Sequence, residues 1–450
     1  MVDRLTRSTP PQAPARRPAA PPPAPDMSRL ARFEDAYALP TFEPGKAVKA
    51  EKSARPAVDG RAAANARKEA ETAWAHWRGG WMPPEDWRRV ESNLREVNQT
   101  RFDDKTEIAR QLKANAGLER QGLEALSPAD ADRYQRLNET LKDEPAARLA
   151  LQLLLVEGTL ERDRLLASLA ALEGRELAAG LDKGQLLAEL VQELAAPEAI
   201  AQRGVGTCTV TTLQILAARE LPGTYVRLVM GLATEKGEAR LANGEWLKRH
   251  PGTESADPWA RSLPSRLWQP AFMEYANGEK LTYDNATGQH SDSTAEKPRS
   301  GLFAHEVDKA IEGFLGREVE TVTVYHRGEE ERKALIRRMG VQLETGVPVP
   351  VALAWGEADG GGQFHESHQI LVTRFQDGRA HYLNPWGQRE SMRLEELERR
   401  IQFATLGGVR EETPEWDLLK DAFDALPDDE KMELVRFGGD RYTGRDYVIG

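Results

Sequence analysis

The chain has 450 residues, a formal net charge of -11 and one cysteine. An acidic balance without a concentrated block of Lys and Arg argues against nucleic acid as a partner, because a polyanion needs a basic face. One cysteine cannot close an internal disulfide, so we expect a cytoplasmic protein, or one exported without a conventional signal peptide. No apolar run approaches the roughly 20 residues that span a bilayer, so no membrane span is expected.

The first part of the chain is rich in Pro, Ala, Arg and small polar residues. This composition buries too little apolar surface to offset chain entropy, which predicts a disordered leader over 1–60. The pattern then becomes helical, and we predict a helical domain over 61–184. Its clearest helix start is Ser127 followed by Pro128, an N-cap residue and a first-turn proline.

Apolar residues within this helical region repeat every three or four positions. Two helices are each predicted to bury one face, formed by Leu165, Leu169 and Leu172 and by Leu187, Leu190, Val191 and Leu194. Four tryptophans, Trp74, Trp77, Trp81 and Trp87, are interpreted as helix packing and not as an aromatic ligand box.

After residue 220 the composition changes to β-rich segments separated by polar loops. Strands are predicted in "TYVRLVMGL" from 224, "TVTVYHR" from 321, "VPVPVALAW" from 347, "HQILVTRF" from 368 and "RAHYLNPW" from 379. Residues 235–300 are predicted to be mostly loop. The fold class is therefore predicted to be α+β, with an all-α region before an antiparallel sheet.

The single cysteine lies in "AQRGVGTCTVTTLQILAARELPG", residues 201–223. Gly204 and Gly206 predict a tight turn, Thr207 a helix cap, and Cys208 the first turn of a helix that ends at Leu-Pro-Gly. Free N–H groups and the positive end of the helix dipole favour a thiolate there, the form that attacks carbonyl groups. The alternative is a small buried apolar residue.

A nucleophilic cysteine needs a base, and the base needs an orienting group. His368 opens one predicted strand and Asn384 ends the next, with Asp377-Gly378 between them. A plain two-residue turn would place the two side chains on opposite faces of the sheet. A bulge at Gly378, with Phe375 opposite Arg379, places them on the same face, so we predict the bulged register.

These residues resemble a known family. The run Gln202-Arg203-Gly204-Val205-Gly206-Thr207-Cys208 resembles the Gln-to-Cys segment of papain-like cysteine proteases. His368 with Asn384-Pro385-Trp386-Gly387 is similar to the His and Asn-Pro-Trp-Gly of the calpain branch. The resemblance implies a papain-like cysteine hydrolase domain over 185–410, in which a Cys-bearing helix packs on the sheet that carries His and Asn. A C-terminal helix and tail over 411–450 would follow.

The resemblance also implies roles for single residues. Cys208 would be the nucleophile, His368 the general acid and base, and Asn384 its orienting partner. Gln202 and the backbone N–H of Cys208 would form the oxyanion hole, and Trp386 would shield the His–Asn bond from water. The implied function is a peptidase that forms a thioester on a protein or peptide substrate. Deamidation, transglutamination and acyl transfer stay open, as does an inactive papain-like binding protein, and nothing indicates a partner of the helical domain.

His365 is the rival base, three residues before His368. It lies in a Gly-rich segment, whereas His368 leads directly into an apolar strand, where a rigid base is expected. The spacing also differs from the zinc protease motif, which has two His four apart on a helix. The sequence contains no EF-hand loop of the required spacing. No metal and no cofactor are therefore expected.

Overall fold

The computed structural model describes residues 102, 104–254, 257, 259–277, 281–291, 299–325, 327–355 and 366–407. The predicted leader, the tryptophan cluster and the predicted C-terminal helix and tail lie outside these residues. The helices of the described part are α1 Lys105–Ala125, α2 Pro128–Thr140, α3 Pro145–Val156, α4 Leu165–Ala170, α5 Lys183–Ala195, α6 Cys208–Glu220, α7 Pro222–Ala233, α8 Leu263–Asn277, α9 Ala304–Leu315, α10 Glu329–Glu344 and α11 Leu394–Arg400.

The strands lie after the first seven helices. They are β1 Glu238–Arg240, β2 Trp246–Lys248, β3 Thr282–Asp284, β4 Gln289–Ser291, β5 Arg299–Ser300, β6 Glu320–Thr323, β7 Val349–Trp355, β8 Glu366–Gln376, β9 Arg379–Asn384, β10 Gln388–Arg393 and β11 Ile401–Leu406. Short 3₁₀ turns occupy Thr159–Arg164 and Pro197–Ala199. The described chain is thus α+β, with a helical region before an antiparallel sheet, as predicted.

The helices before residue 200 form where the sequence pattern predicts them. Ser127 caps α2, because its hydroxyl oxygen accepts a hydrogen bond from the backbone N–H of Asp130 at 3.1 Å. The two predicted leucine-rich faces, at and just after α4 and along α5, are buried. Whether the helical region ends at residue 184 stays a prediction, since one apolar cluster continues across that position.

The main sheet has six strands in the order β10-β9-β8-β7-β11-β6, and every neighbouring pair is antiparallel. Both faces are covered. Leu371 and Leu383 pack with the helical body, including Trp268 of α8. Ile370 packs on the other face with Met339 of α10. The sheet therefore lies between the helical body and α10, with α6 against one face of β8.

Residues 224–232 form most of α7 and not the predicted strand. Their β-branched and aromatic residues favour strands, but Pro222 occupies the first helical turn, where its fixed φ suits a helix. The carboxylate of Asp163, from a distant turn, accepts a hydrogen bond from the backbone N–H of Thr224 and caps the helix. Because most side chains of α7 are buried, the apolar pattern alone could not separate the two structures.

Residues 235–300 contain more regular structure than predicted. They include the 15-residue helix α8 and the short strands β1–β5. Trp268 and Phe272 of α8 are fully buried, so this helix is part of the core and not of a surface loop. Among the described residues, no helix is both long and apolar enough to cross a membrane.

The β8–β9 turn differs from the predicted bulge. Gln376 pairs with Arg379, so the turn contains only Asp377 and Gly378. Both have positive φ, 52° and 68°, as expected of the mirror-image turn that suits a twisted hairpin. The predicted bulge at Gly378 is therefore wrong.

A bulge inside β8 nevertheless produces the predicted arrangement. The register shifts at Thr373, and beyond it Leu371 pairs with Leu383. An extra residue in one strand reverses the parity of everything that follows. Asn384, the next residue of β9, consequently shares a face with His368.

Candidate active site

The segment that leads into α6 contains the predicted turn, which covers Arg203 and Gly204 and is followed by a bend at Val205 and Gly206. Arg203 has φ of 63°, in the left-handed region. Gly204 instead allows close packing, because a Cβ there would lie 3.2 Å from the Trp259 ring. Thr207 occupies the N-cap position of α6, as predicted, but its side chain makes no cap hydrogen bond. The Thr207 side chain therefore does not accept a hydrogen bond from the first N–H groups of α6.

The hydroxyl of Thr207 is hydrogen-bonded to the buried side-chain amide of Gln269. This hydroxyl donates to Gln269 Oε1 at 2.9 Å, and Gln269 Nε2 lies 3.4 Å from the carbonyl oxygen of Ala201. Arg261 also donates to Gln269 Oε1, at 3.3 Å, and is ion-paired with Asp257 at 2.6 Å, both side chains almost completely buried. Gln269 thus joins the two ends of the segment that precedes the cysteine.

The sulfur of Cys208 lies inside the protein, against the backbone of β8. Burial raises the pKa of the thiol to about 12, although the backbone N–H groups of Gln369, Thr209 and Cys208 oppose the rise. One turn along α6, Thr212 donates to the carbonyl oxygen of Gln369 at 3.2 Å. The helix is therefore fixed on the residue that follows His368. The thiol is neutral at rest, and the thiolate expected from the helix start is not favoured.

His368 and Asn384 form the predicted pair. Imidazole Nε2 and amide Oδ1 are 2.9 Å apart, and the two residues are 3% and 0% exposed. Burial lowers the pKa of His368 from 6.5 to about 4, and the hydrogen bond to Asn384 opposes this only in part. The imidazole is consequently neutral at pH 7, like the thiol.

The thiol and the imidazole approach β8 from different sides. The helix α6 packs on the side of Leu371, whereas His368 has the strand parity of Ile370. The thiol lies at the backbone N–H of Gln369, whose nitrogen is bonded to the carbonyl carbon of His368. The structure thus places Cys208 against the first residues of β8, the part of the strand that also carries the imidazole of His368.

Two indole rings enclose the imidazole of His368. The Trp386 ring lies 4.7 Å from it, centroid to centroid, and the Trp355 ring lies 4.8 Å from it. The two indoles meet edge to face at 5.4 Å. Trp386 is 44% exposed, so it stands between the His–Asn bond and solvent, in the position predicted for a shield.

Backbone contacts tie the Asn-Pro-Trp-Gly turn to the segment before the cysteine. The backbone N–H of Gln202 donates to the carbonyl oxygen of Pro385 at 2.7 Å, and Ala201 forms an antiparallel bridge with Trp386. Gly387 has φ of 79°, and a Cβ there would lie 3.2 Å from a carbonyl oxygen of the passing segment. The glycine is therefore required by both its conformation and this close approach.

The side chain of Gln202 is buried beside the turn that leads into α6. Its Nε2 donates to the carbonyl oxygen of Val205 at 2.8 Å. Its Oε1 is buried without a hydrogen-bond partner in the described part of the chain. One N–H of this amide is thus engaged by the turn, which leaves the second for a ligand.

The neutral, buried state of His368 predicts a pH dependence of stability. Between the folded pKa of about 4 and the unfolded value of 6.5, the unfolded chain binds the extra proton, so stability falls as pH falls. From about pH 7 to about pH 4 this residue alone should cost about 3 kcal/mol. Urea denaturation across this range, with His368→Gln as the control that cannot titrate, measures the difference. Equal losses in both proteins would contradict the buried neutral imidazole.

Three residues that shape this site are not among those predicted from the sequence. Trp355 lies on β7 two positions beyond Leu353, the residue that pairs with His368, and its place at the end of a predicted strand was the available signal. Gln269 lies in the helix that was predicted as loop. Glu390 lies six residues after Asn384 and contacts its amide. His365 lies outside the described residues.

Comparisons of the chain with protein-family models, with curated proteins and with solved structures found no match.

Proposed function

We propose that this chain is a papain-like thiol hydrolase that cleaves peptide bonds, with Cys208, His368 and Asn384 as its triad. One observation carries the proposal: a buried imidazole, hydrogen-bonded to a buried amide, lies on the strand segment against which the sulfur of Cys208 packs. A satisfied His–Asn pair enclosed by two indoles is more than packing requires. Perturbed groups gathered at one place are typical of active sites.

The resting site is uncharged, so proton transfer accompanies attack. In the proposed reaction the site first opens and brings the two groups into contact. Nδ1 of His368 then takes the proton as Sγ of Cys208 bonds to the carbonyl carbon, and the electron pair of the C=O bond moves to oxygen. Collapse of this intermediate re-forms the C=O bond and breaks the C–N bond. The amine leaves with the proton from His368, and a thioester remains. Water then attacks the thioester, giving its proton to His368, and release of the acid returns that proton to sulfur.

The oxyanion would be stabilised at the start of α6. The backbone N–H of Cys208 lies in the first turn of α6, where the helix dipole is positive, and Gln202 offers its second amide N–H. Donors held in a site without bulk water stabilise developing charge more than they would in water. Their rigidity comes from Gln269 behind the segment and from the backbone bridge to Trp386.

The experiment is a comparison of wild type with Cys208→Ala on a mixed set of intact proteins. We expect new N-termini with wild type and none with the variant, because the chain has no second thiol. Reading masses in the same samples separates the related chemistries: a gain of about one mass unit on Gln indicates deamidation, and Gln–amine adducts indicate acyl transfer. Either of these outcomes would reject the peptidase and indicate a thiol enzyme of another kind.

A second candidate, an inactive papain-like protein that binds its partner, is favoured by the burial of Cys208 and its raised pKa. A sulfur without exposed surface needs an opening of the site before it meets a substrate. Identical termini and identical masses with wild type and Cys208→Ala, over all substrate sets, would favour this candidate and reject the hydrolase.

A further inference from the structure

Glu390 contacts the triad amide on the side away from the imidazole. It lies on β10 opposite Tyr382, on the same face of the sheet as Asn384. Its Oε2 accepts two hydrogen bonds, from Asn384 Nδ2 at 3.2 Å and from the Tyr382 hydroxyl at 2.8 Å. No role for a carboxylate follows from the triad itself, so these contacts need their own explanation.

The contacts fix which way the Asn384 amide points. Glu390 Oε2 accepts the hydrogen bond from Asn384, so the Asn384 atom beside it is the NH₂ group, the donor of the amide. A backbone N–H only donates, so the atom beside the Trp386 N–H, at 3.2 Å, must be Oδ1. Both neighbours demand the same orientation. Rotation of this amide by half a turn would place two acceptors together and two donors together.

The orientation of the amide in turn fixes the proton on His368. Oδ1 has no hydrogen to give, so at 2.9 Å the imidazole Nε2 must be the donor. A neutral imidazole carries one hydrogen, and with that hydrogen on Nε2 the lone pair lies on Nδ1. Nδ1 is the nitrogen that the proposed mechanism uses as base.

We infer that Glu390 is a positioning residue that holds His368 in the Nε2–H tautomer through the amide of Asn384. The consequence for catalysis rests on the proposed thiol hydrolase. The tautomer itself is a property of the resting protein and does not depend on any activity.

The first test measures the tautomer by nitrogen NMR on protein labelled with ¹⁵N-histidine. The chain has 8 histidines, and His368 is assigned by its loss in His368→Ala. Wild type should show a protonated Nε2 and an unprotonated Nδ1. Glu390→Leu, which removes the acceptor, should show a mixture of the two tautomers. Glu390→Gln keeps an acceptor oxygen and Tyr382→Phe keeps the carboxylate, so both should resemble wild type.

The second test exchanges donor and acceptor across the same contact. Asn384→Asp places a second carboxylate against Glu390, and the like charges should lower kcat by about 100-fold or more. In Asn384→Asp/Glu390→Gln the new amide donates to the aspartate, its oxygen accepts from Tyr382, and kcat should recover at least about 10-fold. The single Glu390→Leu change should lower kcat about 10- to 100-fold with KM unchanged, the usual effect of losing a partner that orients a histidine.

The outcomes separate this inference from the proposed function. An unchanged tautomer in Glu390→Leu, or no recovery in the double variant of an active enzyme, overturns the role of Glu390 while leaving the hydrolase intact. A wild type without turnover whose tautomer nevertheless depends on residue 390 rejects the hydrolase and supports the inference. If Glu390→Leu does not fold, Asn384→Asp and its double variant, read by the same spectra, still decide the question.

Discussion

Replacing His368 by alanine is expected to lower kcat by about 10²- to 10⁴-fold, because one imidazole serves both proton transfers of the proposed mechanism. KM should change little, since the substrate is bound by other groups. The rate is measured on a peptide taken from the cleavage sites that wild type produces. Removing Cys208 as well should cause no further loss, because residues that act as a unit are not additive.

The matched control for this experiment is His381→Ala. His381 lies on β9 of the same hairpin, three residues before Asn384, and so with the opposite strand parity. Its replacement tests the hairpin without touching the proposed site, and kcat should stay within about twofold of wild type. A His368→Ala protein as active as the His381→Ala protein would remove the imidazole from the mechanism.

The second large effect concerns stability. A Cβ on Gly223 would lie 1.8 Å from the backbone carbonyl oxygen of Asp163, a contact that no side-chain movement can relieve. Gly223→Ala should therefore separate α7 from the turn that caps it and lower the free energy of unfolding by about 3 kcal/mol or more. Urea denaturation, compared at equal slope, measures the loss.

Gly117→Ala provides the opposite expectation in the same assay. Gly117 lies inside α1 with no atom within 4 Å of its would-be Cβ, so alanine should raise stability by up to about 1 kcal/mol through helix propensity. If Gly223→Ala were as stable as wild type, the packing of α7 against the Asp163 turn would be wrong.

The position of α7 shows why part of the fold could not be read from the sequence. Its β-branched residues favour a strand, and its helix is capped by Asp163, about sixty positions away. Local patterns succeeded where the deciding interaction is local, as at Ser127 of α2. They failed where a distant residue decides the structure.

The candidate site divides in the same way. The proximity of His368 and Asn384 followed from strand parity, but the bulge that produces it lies at Thr373, which no residue type announces. Trp355 and Gln269 come from other parts of the chain and required the sheet order and α8 to be known. Their contacts are tertiary, so no spacing within one segment could have indicated them.

The charge state of Cys208 depends on two opposing free energies, that of the helix dipole and that of burial, whose sizes cannot be read from the sequence. A helix N-terminus favours an anion by about 0.3–1 kcal/mol, up to about 2 in buried geometries. The rise of the Cys208 pKa from 9.0 to about 12 corresponds to about 4 kcal/mol against the thiolate. Burial therefore prevails over the dipole, and burial depends on how α6 packs on β8.

Because the sulfur of Cys208 is enclosed, its reaction with a reagent can measure how often the protein opens locally. Since the chain has a single cysteine, disulfide exchange with a small aromatic disulfide under native conditions carries no background from other thiols. The rate of this exchange measures how often α6 separates from β8 in solution. A ligand that binds the open state would speed the exchange, and a ligand that binds the closed state would slow it. The exchange rate can therefore distinguish the two kinds of ligand before any reaction is known.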